Sequence, residues 1–242
     1  GLFILITFLP LNIALVYTIK SRKKSSEIMA ISTVVLIISF FVIMGIMGDI
    51  TGVSIITQIE EFLNHTLSAQ LELLEGMDLS SYEMFKLKDT MEDKLKEVLL
   101  IIPSTIMIFS LIMTYINYII SVLILRKLGY GIVYIPRFSR FKLPNNILVG
   151  VGIMFLGPFF LKIFELFNYR TILANITLLT SFIFFLQGLS VVDYKLKRKN
   201  RNWFLRLLIL VFFTILIPVG GIITFIGILD VIFDFRGIRK VI

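Results

Sequence analysis

Apolar residues in this chain come in long runs rather than in short alternating stretches. Six runs stand out, over 1–18, 28–48, 98–125, 147–167, 171–192 and 203–229. A helix crossing about 30 Å of hydrocarbon needs about 20 residues at about 1.5 Å each. Backbone groups in lipid must find their hydrogen bonds within the structure itself, so only helices and closed barrels span. Runs of this length without period-two alternation predict helices and exclude barrel strands. Pro10, Pro103, Pro158 and Pro218 fall inside four of the runs, the last followed by Gly220 and Gly221.

Between the second and third runs the rhythm changes. Ile56, Ile59, Phe62, Leu63, Leu67, Leu71 and Leu74 step by threes and fours, which marks one face of an amphipathic helix. Gly76 stands where a C-cap glycine belongs. Ser80 followed by Glu83 fits a capping box that opens a second helix. Met84, Leu87, Met91, Leu95 and Val98 then carry the stripe into the third run. The pattern predicts a helical pair over about 56–97, inserted between spans two and three of a single membrane domain covering 1–242. Such a pair serves either as a lid on the bundle or as a gate over a binding cavity.

Composition narrows the class. Apolar residues make up 57% and charged residues 17%, against about 45–50% and about 25% in soluble domains. A mean hydropathy of +0.96 excludes both a soluble globular domain and a disordered chain. The chain is apolar from Gly1, with no basic start and no small-residue cleavage site, so it is not read as opening on a signal peptide. We expect spans of a longer protein to precede it.

Charge sets an orientation. Lys20, Arg22, Lys23 and Lys24 follow the first run; Arg126, Lys127, Arg137, Arg140 and Lys142 follow the third; Lys195, Lys197, Arg198, Lys199 and Arg201 follow the fifth. The stretch 49–97 instead holds most of the chain's 16 acidic residues and no arginine. The excess of Lys and Arg in cytoplasmic loops places the three basic turns inside and the acidic pair outside. Six crossings then put Arg236, Arg239 and Lys240 outside, against the rule. A re-entrant hairpin at 218–221 is the alternative to one broken span. The net charge of +8 follows from this topology and from anionic lipid, and no nucleic-acid partner is expected.

Candidate chemistry is sparse. There is no cysteine and one histidine, His65, on the acidic stretch. Thiolate sites and paired imidazoles are thereby excluded, and the single histidine is read as giving no triad. No phosphate-binding G-x-x-x-x-G-K-[ST], H-E-x-x-H or G-x-S-x-G occurs. We therefore expect no enzyme, no cofactor and no metal site. Polar groups at membrane depth carry the remaining interest, because a charge there costs at least about 2.5–3.5 kcal/mol. Lys162 and Glu165 are three apart and share a helix face; they either pair near the membrane boundary or line a cavity. Asn117 and Gln187 could join that cavity or simply bond between helices. Asp230, Asp234 and Arg236 form the densest ionisable cluster, read either as ion pairs ending the last helix or as a partner-docking surface. Asp193, beside basic residues, is expected in an ion pair.

Four stretches, in this order, resemble the YybS-like family of predicted bacterial membrane proteins, a family of unknown function. They are Phe8-Leu9-Pro10 through the basic 20–24, the amphipathic pair leading into Ile102-Pro103, the run Leu186-Gln187-Gly188-Leu189-Ser190-Val191-Val192 before the basic 195–201, and Gly227-Ile228-Leu229-Asp230 through Phe233-Asp234-Phe235-Arg236. Together they cover nearly the whole chain. That family is distantly similar to the substrate-binding S components of energy-coupling-factor vitamin transporters. The resemblance implies a membrane-embedded binder of a small molecule, served by separate ATPase subunits. We therefore expect an all-α polytopic bundle of about six spans in a bacterial plasma membrane, surrounded by lipid. Its expected role is to bind a small solute through Asn117, Lys162, Glu165 and Gln187. The alternative role is a non-catalytic scaffold that docks membrane-protein partners.

Overall fold

The computed structural model describes residues 2–75, 80–130, 135–163 and 168–238. Among these residues the chain is all-helical, with nine α-helices, one 3-10 turn and no strand. Contacts gather the chain into two compact units, Gly1–Val133 and Tyr134–Ile242.

The first unit holds α1 (Leu2–Lys20), α2 (Ser25–Thr51), α3 (Ile55–Glu75), α4 (Ser81–Leu100) and α5 (Ile102–Lys127). Helices α1, α2 and α5 pack on one another through narrow stripes. On α1 the stripe is Leu11, Leu15, Thr18 and Ile19; on α2 it is Ile28, Ser32, Leu36 and Ser39; on α5 it is Ser110, Thr114, Tyr118 and Val122. The small hydroxyl residues in these stripes permit close helix approach. Of the hydroxyls in these stripes, Ser39 Oγ donates to the Thr7 carbonyl at 3.1 Å, Tyr118 Oη donates to Ser25 Oγ at 3.3 Å, and Ser32 Oγ and Thr114 Oγ1 are buried without a partner among the described residues. Helix α2 stops at Gly52, whose φ of 70° is the left-handed cap that glycine adopts without steric cost.

Helices α3 and α4 pack together by part of the predicted stripe, while its members Ile56, Phe62, Leu87 and Val98 are exposed. Ile59, Leu63, Leu67, Leu71 and Leu74 are half-buried, as are Met84, Met91 and Leu95. The capping box forms as the spacing predicts: the Glu83 N–H donates to Ser80 Oγ, and the Ser80 N–H donates to Glu83 Oε2 at 3.0 Å. The expected C-cap glycine Gly76 lies outside the described residues. The stripe does not run on as one helix into the next span. The chain turns at Ile101, and Pro103 stands in the first turn of α5, where its missing backbone donor costs no helical hydrogen bond.

The second unit holds the 3-10 turn (Phe138–Arg140), α6 (Ile147–Ile163), α7 (Tyr169–Arg198), α8 (Trp203–Ile215) and α9 (Ile217–Phe233). The long α7 is its axis and touches the turn, α6, α8 and α9. A Cβ placed on Gly188 would overlap the carbonyl of Ile223, and one on Gly227 would overlap that of Phe184. The two helices therefore meet backbone to backbone, which only glycine allows here. This pairing of earlier α7 with later α9 residues means that α9 runs back along α7. Leu143, Phe184 and Val231 form the apolar core beside the crossing.

The span count differs from expectation. Three helices, α2, α5 and α7, are long and apolar enough to cross a bilayer, with a fourth crossing if α8 and α9 form one broken span. The sixth apolar run is not one helix: its two parts are bent by 112°, around Leu216 and with Pro218 in the first turn of α9. Ile6–Lys20 and Ile147–Ile163 are apolar but shorter among the described residues.

Candidate functional site

The most elaborate polar arrangement lies in the second unit, where α7, α9 and the 138–143 segment meet. Gln187 and Ser190 are three apart on α7 and so share a face, and Asp230 faces them from α9. The chain then leaves α9 through Asp234, whose φ of 45° and ψ of 54° are left-handed, a conformation aspartate tolerates better than most residues. Asp234 Oδ1 accepts the Ile238 N–H at 3.1 Å. This turn folds Arg236 back onto the crossing.

Arg236 donates to a single oxygen of Asp230. Its Nε lies 3.1 Å and its Nη2 2.8 Å from Asp230 Oδ2. Gln187 Nε2 donates to the same oxygen at 2.6 Å, while Gln187 Oε1 accepts the Leu143 N–H at 3.1 Å. Arg236 Nη1 reaches Ser190 Oγ at 2.6 Å and the Ser139 carbonyl at 3.2 Å. The Ser190 hydroxyl in turn faces the carbonyls of Phe138 and Phe141 at 2.7 and 3.1 Å. Gln187, Ser190 and Asp230 are fully buried and Arg236 is 6% exposed.

This accounting explains the local fold. A single 3-10 turn pairs only a few of the 138–143 segment's backbone groups, and the other buried ones need partners. Here side chains from α7 and the end of α9 supply them. Three charge-assisted or short bonds converge on Asp230 Oδ2, which is what a buried carboxylate requires. The other oxygen differs: Asp230 Oδ1 is buried and has no hydrogen-bond partner among the described residues. The site thus offers one strong, unused acceptor enclosed by protein.

A second ion pair stands further along α7. Arg206 of α8 donates through Nε to Asp193 Oδ1 at 2.7 Å, and Nη2 also donates to that oxygen. It ties the start of α8 to the basic end of α7.

The residues that the sequence grouped as a cavity fall in both units. Gln187 sits in the buried network. Asn117 belongs to the other unit, where its Nδ2 donates to the Met113 carbonyl one turn back at 2.9 Å. Lys162 is exposed near the end of α6, its Nζ 5.5 Å from the centroid of the Tyr169 ring. Glu165, and with it the expected Lys162–Glu165 pair, lies outside the described residues. Of the C-terminal cluster, Asp230 and Arg236 pair and are buried, and Asp234 is half-buried. Ser190 and the 138–143 segment were not singled out from sequence. The i, i+3 spacing of Gln187 and Ser190 beside Gly188 is the signal that could have pointed to Ser190. Nothing local in 138–143 marks carbonyls that side chains far along the chain will bind.

No curated protein and no solved structure matches the chain. Over residues 1–231 it matches the family described as Predicted membrane protein (DUF2232), and with its long apolar helices it belongs to that family of membrane proteins.

Proposed function

We propose that this chain is a non-enzymatic, transport-related protein of the bacterial plasma membrane that binds a small solute in its second unit. The observation that carries the reading is the free oxygen of Asp230. A carboxylate among membrane helices is costly and is a functional candidate by default. Bidentate arginine–carboxylate pairs spread their donors over both oxygens. Arg236 and Gln187 instead crowd Oδ2 and leave Oδ1 to a donor from elsewhere. Because Asp230 and Arg236 already balance in charge, the complementary solute is a neutral molecule presenting an N–H or O–H group. Gln187 holds Asp230 in place, and the solute's donor meets Oδ1.

In this reading the basic turns face the cytoplasm, the apolar runs make about six crossings, and α3 with α4 lies outside. The similarity to energy-coupling-factor S components supports the division of labour, with separate ATPase subunits supplying the energy. The scaffold alternative rests on the α3–α4 pair, where Leu73, Tyr82 and Phe85 are exposed near one end and would meet a protein partner.

The test is native mass spectrometry of the full chain released gently from its own membranes. A retained small molecule, lost on Asp230→Asn in protein that still elutes as a single species, is the expected result. A molecule held equally well by the variant overturns the site. A chain that carries no solute and is crosslinked instead through Phe85 to another protein favours the scaffold.

A further inference from the structure

Helix α8 has 13 residues, about 20 Å at about 1.5 Å per residue, too short for about 30 Å of hydrocarbon. Its bend of 112° against α9 excludes a straight continuation through the bilayer. Because α9 runs back along α7, α9 begins on the side where α7 ends. Helix α8 therefore leaves and rejoins the protein at one membrane surface.

Its two faces differ in kind. Arg206, Ile209, Leu210 and Phe213 are half-buried toward the protein, and Arg206 is anchored to Asp193. Trp203, Phe204, Leu207, Leu208, Phe212 and Ile215 point away and are exposed. The hydroxyl of Thr214 on that side is turned back to the Leu210 carbonyl at 2.9 Å. This face has no use for water. Directly before it come Lys195, Lys197, Arg198, Lys199 and Arg201, all exposed. Asp193, the acid nearest in sequence, is taken up by Arg206, and none of the five cations is in a salt bridge among the described residues.

An apolar helix face beside a dense cationic edge matches one environment, the boundary between acyl chains and anionic headgroups. Tryptophan is enriched at that depth, and Trp203 opens the helix. We propose that α8 lies in the plane of the membrane and that Lys195, Lys197, Arg198, Lys199 and Arg201 bind the phosphates of anionic phospholipids. The apolar face sinks into the acyl region, the cations hold the headgroups, and the Asp193–Arg206 pair fixes the angle between the two. This inference is independent of the solute reading, since it uses none of the same residues.

The chain's single tryptophan makes Trp203 a native probe. The full chain is reconstituted into phosphatidylcholine nanodiscs with and without phosphatidylglycerol, using lipids brominated at graded depths. Trp203 fluorescence is expected to be quenched most by bromines near the headgroup. Phosphatidylglycerol is expected to be retained through native mass spectrometry, and excess inorganic phosphate should not displace it. Changing the five cations to glutamine should lower that retention more than about tenfold while Trp203 remains at the same depth. Strongest quenching from the bilayer centre, an unquenched tryptophan, or equal retention by the five-site variant would each overturn the proposal. So would binding of an acidic protein in place of the lipid.

Discussion

Arg236 and Asp230 meet at one oxygen, across a turn of left-handed backbone, and hold the end of α9 against α7. The guanidinium places Nε and Nη2 at 3.1 and 2.8 Å from Oδ2 while Nη1 reaches past it to Ser190 and the Ser139 carbonyl. One side chain therefore fastens α9, α7 and the 138–141 segment together.

Breaking this pair on one side leaves a buried charge. Arg236→Ala should cost about 3–5 kcal/mol, the usual penalty for removing one partner of a buried pair. Replacing both, as Asp230→Leu with Arg236→Met, should recover most of the loss. Chemical unfolding of the purified full chain in detergent compares both variants with the wild type. A single Arg236 variant as stable as the wild type would show that the pair contributes no stability.

Ser190→Ala removes the hydroxyl that serves Phe138, Phe141 and Arg236 at once. A buried group left without its partner costs about 1–3 kcal/mol. The loss should be local: amide exchange should quicken for residues 139–143 and stay unchanged in α2 and α5. Uniform acceleration across the chain would mean that the hydroxyl acts on global stability instead.

The close crossing of α7 and α9 depends on two absent side chains. Gly188→Ala and Gly227→Ala each press a methyl into a carbonyl of the facing helix. Each should cost at least the about 1–3 kcal/mol of ordinary overpacking, because backbone yields less than a side chain. Gly150→Ala, where the added carbon meets nothing within 4 Å, is the matched control and should leave the melting temperature unlowered, since alanine favours a helix over glycine.

At the start of α4 the Ser80 hydroxyl and N–H hold the Glu83 carboxyl below its ordinary value. A carboxyl lowered on folding stabilises in its ionised form. Its contribution is fully present above glutamate's ordinary value and fades as pH falls through the lowered one. Amide exchange over 81–84 should therefore quicken, relative to the rest of α4, only on that acidic side. In Glu83→Gln the same amides should show no such pH dependence.

The parts of this architecture that were legible in the chain are those governed by neighbours in sequence. Runs of apolar residues specify helices wherever they occur, the steps from Ile56 to Leu74 mark a face, and Ser80 with Glu83 announces a helix start, since each is satisfied within a few residues. The same local logic could not count crossings. The run 203–229 reads as one span by composition, yet the chain turns at Leu216, because length and apolarity say nothing about direction where Pro218 opens a new helix.

The site was legible only in fragments. Gln187, Asp230 and Arg236 stood out as polar residues in apolar surroundings. Their spacing along α7 and α9 could not show that Gln187 reaches Asp230 rather than Asn117 or Lys162, nor that Ser190 completes the set. Those pairings depend on where Gly188 and Gly227 let two backbones cross, and on a left-handed turn at Asp234 that aims Arg236 inward. Membrane residence and helical class follow from the cost of exposing apolar surface to water and backbone groups to lipid, which every residue registers by itself. Which carboxylate oxygen is left without a donor follows from contacts between segments more than forty residues apart, and only the folded chain brings those together.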